Sequence, residues 1–290
     1  MCGAILPCDG GIIASQKEGR AEVSFERRGE DTVVGHLFQQ APLRVLFPRG
    51  EEPNTPLAAV VTTSGGLVGG DVLRVGIHLG RGASATVMSG AAEKIYRSRG
   101  DVCRVLVDVS VREGARLDYL PHETIVFRAA RLDRKTIIDI AAGCRVVASG
   151  MVVFGRTASG EALTEGHVRD AWEIRKDGRL LWADALLLDG EMARTLAAPA
   201  CLGGAVALAT MIFAADDAVM QLPLARELLD VHGNDDDVLR SGATVVAGLL
   251  VVRWMSADAH RLRTAFGAFL ADFRRRAAGR GPSLPRLWWV

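Results

Sequence analysis

Hydrophobic and polar positions alternate along most of the first two thirds of the chain. In Asp71 to Leu79, Leu73, Val75, Ile77 and Leu79 fall on one face, with Arg74, Gly76 and His78 opposite. That is period two, the mark of a half-buried strand. Cys103 to Val111 repeats it, with Cys103, Val105, Val107, Val109 and Val111 inward. Further strands are predicted over Ala21 to Arg27, Pro42 to Pro48, Leu57 to Val61, Ser84 to Ser89, Ala115 to Leu120, Lys135 to Ile140 and Arg145 to Phe154. Gly80-Arg81-Gly82 turns the chain so that Ser84 to Ser89 runs back, and Glu113-Gly114 makes the next turn. Val168 to Arg175 and Arg179 to Leu188 flank Lys176-Asp177-Gly178, where Asp-Gly supplies the positive φ angles of a type I′ hairpin turn. Short strands joined by tight turns predict a mainly β protein, an antiparallel β-rich scaffold of stacked or helicoidal sheets. No βαβ alternation is present.

The period changes in the C-terminal third, where two helices are expected. Pro223 to Val231 opens with proline, which suits a first helical position. Over Ser256 to Ala278, Ala259, Leu262, Phe266, Phe269, Leu270 and Phe273 recur at three- and four-residue intervals and make one apolar face. Ser256 is the expected cap and Gly279 the expected stop. Ala243 to Trp254, between the helices, reads as one buried strand. Leu196 to Ala215 carries no charge and has spanning length. Pro199, Gly203 and Gly204 interrupt it, so it is read as a loop followed by a buried strand, Ala205 to Ala214, and not as a membrane segment. No repeat or low-complexity linker divides the chain. A single domain over residues 1–290 is expected, with 1–20 as a mobile lead-in.

Composition narrows the function. The chain is 49% hydrophobic and 6% aromatic, so its core is built from Val, Leu, Ala and Ile. A formal net charge of +1 argues against a nucleic-acid binder, whose affinity rests on a basic face. Arg274-Arg275-Arg276 fits the last turn of the long helix, where cations suit the dipole. Cys2, Cys8, Cys103, Cys144 and Cys201 are scattered and odd in number, the usage of a reduced compartment. With no secretory signal evident, a cytoplasmic location is expected.

Chemistry-bearing motifs are sparse. There is no nucleophile elbow, no His-Glu-x-x-His and no metal-type histidine spacing. Asp235-Asp236-Asp237 does not match a calcium loop and reads as a solvated acidic turn. The run Gly65-Gly66-Leu67-Val68-Gly69-Gly70-Asp71 demands positive φ or a close backbone approach. It lacks the lysine and following helix of a phosphate loop, which leaves a ligand-free tight loop or a family signature. In Tyr119-Leu120-Pro121-His122-Glu123, Pro121 breaks the strand and projects His122 and Glu123. A histidine beside a carboxylate suits a borderline metal such as nickel. Equally, His122 caps backbone and Glu123 pairs with an arginine. Arg156 and Glu161, in Gly155 to Glu161, form an ion pair across a turn or direct a charge into a channel. Glu93, Lys94, Tyr96 and Arg97 read as a paired polar patch.

The glycine run, followed by Ala91-Ala92-Glu93-Lys94-Ile95-Tyr96-Arg97, closely resembles the UreD/UreH family of urease accessory proteins. Tyr119 to Glu123, Gly155 to Glu161 and the ending Pro285-Arg286-Leu287-Trp288 extend the resemblance in the family's order. The chain departs from it with Ser89-Gly90 where Thr-Thr is common, and with Ser159-Gly160-Glu161 where Arg-Gly-Glu is common. The resemblance implies a non-enzymatic maturation factor. It would bind a UreF-type partner, a UreG-type GTPase and urease apoprotein, and help deliver nickel to the urease site, holding no cofactor stably. Cargo in transit needs weak, dispersed ligands, because a closed cage traps the ion. Glu123 and Glu161 are the first candidates for a nickel route, with His122 and Asp71 next. Leu287, Trp288 and Trp289 form an apolar tip expected to pack on the domain or on a partner. The competing reading is a small-molecule hydrolase or other metal-dependent enzyme using Asp71, His122 and Glu123, since glycine loops and polar strand ends often build active sites.

Overall fold

The structure, a computed structural model, describes residues 18–50, 52–156, 159–233 and 237–289. Cys2, Cys8, Asp235, Asp236 and most of the expected lead-in lie outside these residues. The last positions of that lead-in, from Glu18, already belong to a strand.

Two sheets face each other. The first has the order β14-β13-β11-β8-β5-β1-β2. It contains β1 (Glu18–Arg28), β2 (Asp31–Gln40), β5 (Val72–Leu79), β8 (Cys103–Val111), β11 (Arg131–Ile140), β13 (Glu165–Lys176) and β14 (Arg179–Glu191). The second has the order β16-β17-β15-β12-β9-β6-β4-β3. Its strands are β3 (Leu43–Leu46), β4 (Leu57–Thr62), β6 (Ser84–Ser89), β9 (Arg116–Leu120), β12 (Arg145–Phe154), β15 (Ala207–Ala214), β16 (Leu239–Val246) and β17 (Leu249–Ser256). The short β7 (Glu93–Ile95) and β10 (Thr124–Val126) pair beside β12.

From β4 to β13 the chain passes back and forth between the two sheets. Strands next to each other within one sheet therefore run the same way, and β5·β8, β8·β11, β11·β13, β4·β6, β6·β9 and β9·β12 are all parallel. The expectation of stacked or helicoidal sheets holds, but the expected antiparallel pairing is only part of the truth. Gly80 to Gly82 and Glu113-Gly114 do turn the chain, but into the opposite sheet. These turns stack: the Gly82 N–H donates to Glu113 O and the Gly114 N–H to Ala142 O. Antiparallel pairs occur at the ends, in β1·β2, β3·β4, β13·β14 and among β12, β15, β17 and β16. Asp177 (φ 51°) and Gly178 (φ 77°) make the expected hairpin.

Helices form a third layer behind the second sheet. α2 (Leu222–His232) and α3 (Ala259–Ala277) match the expected pair, and a short α1 (Met192–Ala197) adds a third. One hydrophobic core lies between the sheets and a second between the second sheet and α2 and α3. The α3 cap is Asp258, whose Oδ1 accepts from the His260 and Arg261 N–H groups; Ser256 instead accepts from the Asp258 N–H. The single strand expected over Ala243 to Trp254 is the hairpin β16–β17, turned at Ala247 (φ 48°) and Gly248 (φ 79°).

Candidate functional site

The two most specific motifs pack on each other. The Leu67 N–H donates to Lys94 O, the Tyr96 N–H to Leu67 O, and the Tyr96 hydroxyl to Gly65 O. Gly66 (φ 143°) has no room for a Cβ, which would strike the Tyr96 ring and Lys94 O. Gly66 and Gly69 are required by close approach, the latter to Ser98 and Asp101 O, and Gly65 (φ 71°) and Gly70 (φ 92°) by their left-handed backbone. Asp71 closes the loop: it is buried, and its Oδ2 accepts from the Val68 N–H at 3.0 Å.

This packing sets β7 against the gap between the sheets, where a cavity of about 100 Å³ opens. Glu93, Thr62, Ser89, Tyr119, His122, Thr124 and Arg134 supply its polar lining. Glu93 accepts from the Thr62 hydroxyl at 2.7 Å. Burial pushes the Glu93 carboxyl above its ordinary range, against the pull of that hydrogen bond and of Arg134. Burial also pushes the Tyr119 hydroxyl up to about 12 and the nearby Cys103 thiol up to about 12. Arg134 extends from β11, donates from Nε and Nη2 to both oxygens of Asp170 on β13 (2.8 and 2.6 Å), and donates from Nη1 to the Thr124 hydroxyl of β10. Asp170 in turn lines a larger groove of about 620 Å³, with Trp172, Asp184, Cys201, Arg240 and Arg253.

The four expected route residues occupy different surroundings. His122 is buried; Nε2 lies 2.8 Å from Leu287 O, and Nδ1 lies 3.1 Å from Ser89 Oγ. Nδ1 also lies 3.0 Å from Ser89 O, so each ring nitrogen faces a carbonyl acceptor. Burial lowers the His122 pKa, against the pull of the Leu287 carbonyl and Glu123, and the ring stacks on Trp288 at 5.8 Å. Glu123 lies 3.5 Å from Arg263 on α3. Glu161 pairs with Arg156 at 2.8 Å, as one sequence expectation had it, and accepts from the Arg128 N–H. The Arg156 hydrogen bond, then the Arg128 N–H, hold its carboxyl below the usual range. Thus His122 and Glu123 are adjacent, while Glu161 belongs to a separate surface pocket with Tyr96, Phe127 and Arg156. Among the described residues, no three His, Cys, Asp or Glu side chains group to hold a metal.

The C-terminal tip packs on its own chain. Trp288 is buried among the residues of the helix-side core, Leu287 is partly buried there, and Trp289 is 53% exposed. Sequence reasoning missed Arg134 and Asp170, and it read Glu93 only as part of a polar patch. The signal was present: Asp170 interrupts the inward series Val168, Trp172, Ile174, and Arg134 interrupts Leu132, Thr136, Ile138.

Fold and site together define a two-sheet, helix-backed β scaffold around a small polar interior. A profile of the UreD urease accessory protein family matches residues 17–289. A urease accessory protein UreD of Magnetococcus marinus is 40% identical over 93% of this chain and 93% of its own length. One of Xanthobacter autotrophicus is 40% identical over 95% and 91%, and one of Rhodopseudomonas palustris 38% identical over 97% and 96%. The chain belongs to the UreD family of urease accessory proteins, and its role is accessory rather than catalytic. Among the described residues no helix is long and apolar enough to cross a membrane.

Proposed function

We propose that this chain is a cytoplasmic scaffold that binds a UreF-type partner, a UreG-type GTPase and urease apoprotein, and that nickel reaches urease by way of it. Membership of the family over nearly the whole chain carries this reading. Glu161 and Glu123 are weak cargo contacts in it. Each carboxylate already has an arginine beside it, and that arginine competes with the metal ion and promotes its release. His122 and Asp71 rank behind them, because the hydrogen bonds that hold each of them must be given up before a metal can bind. The enzyme reading loses its machinery for the same reason.

The test is deletion of the gene. Urease protein is expected to be present and nickel-poor, with nickel restored by the intact chain. Full nickel loading in the deletion strain would sink the reading. E123Q and E161Q keep volume and remove charge. They are expected to leave assembly with the partners intact and slow nickel loading. Normal loading in both single variants and the double variant removes these carboxylates from the route.

A further inference from the structure

Among the described residues, Arg134 is the one arginine or lysine lining the inter-sheet cavity, and it faces that cavity from the first sheet. Its partner Asp170 faces the larger groove and not the cavity. The two are register partners on the parallel pair β11 and β13, so their side chains project from the same inner face. Nη1 then crosses the gap to Thr124, on β10 of the second sheet. The guanidinium is thus a crossbar spanning both sheets, with the cavity on one side and the groove on the other. It also feels the charge of Glu93, which lines the cavity.

A buried ion pair is a poor way to gain stability, since well-packed apolar groups of similar volume usually serve as well or better. Here the pair interrupts an apolar stripe on each strand, which focuses attention on what it separates. Arg134 is a tethered monovalent cation paired with the carboxylate of Asp170. A divalent cation arriving at Asp170 from the groove competes with the guanidinium for that carboxylate with twice the charge.

We propose that the Arg134–Asp170 crossbar is a gate between the groove and the inter-sheet cavity, displaced by a divalent cation in exchange for the guanidinium. The proposal deepens the nickel-delivery reading and rests on it for the identity of the cargo. The gate itself is a property of the fold and can be tested separately. Arg134 and Asp170 act as positioning residues that open or close a path.

The experiment places a reporter thiol in the cavity, with Val107→Cys, in the full-length chain carrying Cys201→Ser. Val107 lines the cavity and is buried. The probe is a small cationic methanethiosulfonate, and modification at position 107 is followed by mass spectrometry. Adding R134Q is expected to raise the modification rate at least about tenfold. R134Q/D170N removes both charges at once, avoids an unpaired buried carboxylate, and is expected to do the same. Adding nickel or cobalt alone to the reporter with its gate intact is expected to raise the rate as well. An unchanged rate in a folded R134Q or R134Q/D170N protein overturns the gate. An unchanged rate with metal overturns displacement by the cation. Nickel loading of urease by the same gate variants is measured in parallel. Raised labelling with normal loading keeps the gate and refutes the nickel route, whereas unchanged labelling with slowed loading in E123Q or E161Q does the reverse.

Discussion

At the scale of single residues, His122 shows how a metal-type side chain becomes structural. Its ring joins the Ser89 backbone to the C-terminal turn through Leu287 O. Burial lowers its pKa from the ordinary 6.5. The unfolded chain therefore takes up this proton first as pH falls. The stability that a neutral His122 contributes is complete above pH 6.5 and declines as pH drops through the lower folded value. Glu93 acts with the opposite sign. Its raised pKa favours the folded state below the ordinary 4.5 and loses that advantage as pH rises through the folded value. Comparing variants separates the two. In urea unfolding at about pH 7.5 and about pH 5.5, H122Q is expected to show a smaller loss on acidification than the unsubstituted chain. An identical loss in both contradicts the assignment. Glu93 was read in the sequence as part of a polar patch. Its place in the cavity comes from the pairing of β7 with β10, a contact no local pattern announces.

Among the elements, α3 carries the clearest pattern and the densest packing. Its apolar face was legible because Leu262, Phe266, Phe269, Leu270 and Phe273 follow the helical repeat, and all are fully buried. The exact cap was not, because Ser256 and Asp258 are both good cap residues and only the chain path chooses. D258A is expected to cost about 1 kcal/mol, seen as a lower urea midpoint, while S256A leaves the two cap hydrogen bonds in place. The Arg286–Trp289 turn lies against this helix, with Trp288 ring contacts to Phe266 and His122. W288A is expected to cost about 3–5 kcal/mol, as for other buried aromatic truncations. W289A removes a half-exposed ring and is expected to leave stability nearly unchanged. If W289A, but not the fold, weakens partner pull-down, the tip serves the interface through that one side chain.

Across the whole molecule, one buried charge network ties the layers together. Arg274, fully buried on α3, donates from Nε and Nη2 to Asp118 on β9 and from Nη2 to Glu52. Arg280 approaches the same Asp118 oxygen at 3.0 Å. Sequence placed Arg274 in the last helical turn for its dipole, and the structure adds this second use. Removing one partner from a buried pair strands the others in a low dielectric. D118N is expected to destabilise by about 3–5 kcal/mol, with loss of the cooperative unfolding transition at lower denaturant. R275A, by contrast, removes an exposed helix-surface contact to Asp272 and should be near neutral. Comparable losses in both variants would show that the network is no more than a surface pair.

The sequence by itself determined the β character, most strand positions, both long helices, the Asp177-Gly178 hairpin and the family. These rest on local periodicity, turn chemistry and motif order, all carried by neighbouring residues. Only the tertiary structure decided that successive strands enter opposite sheets, because a turn within a sheet and an arch between sheets share one alternating pattern. It alone brought Arg134, Asp170 and Thr124 together, since β11 meets β13 across one strand of the other sheet. It also settled the glycine run, where the missing side chain of Gly66 makes room for Tyr96 and the Lys94 carbonyl. Long-range contacts of this kind leave only a trace in sequence: a charge inside an apolar stripe, whose partner the fold must supply.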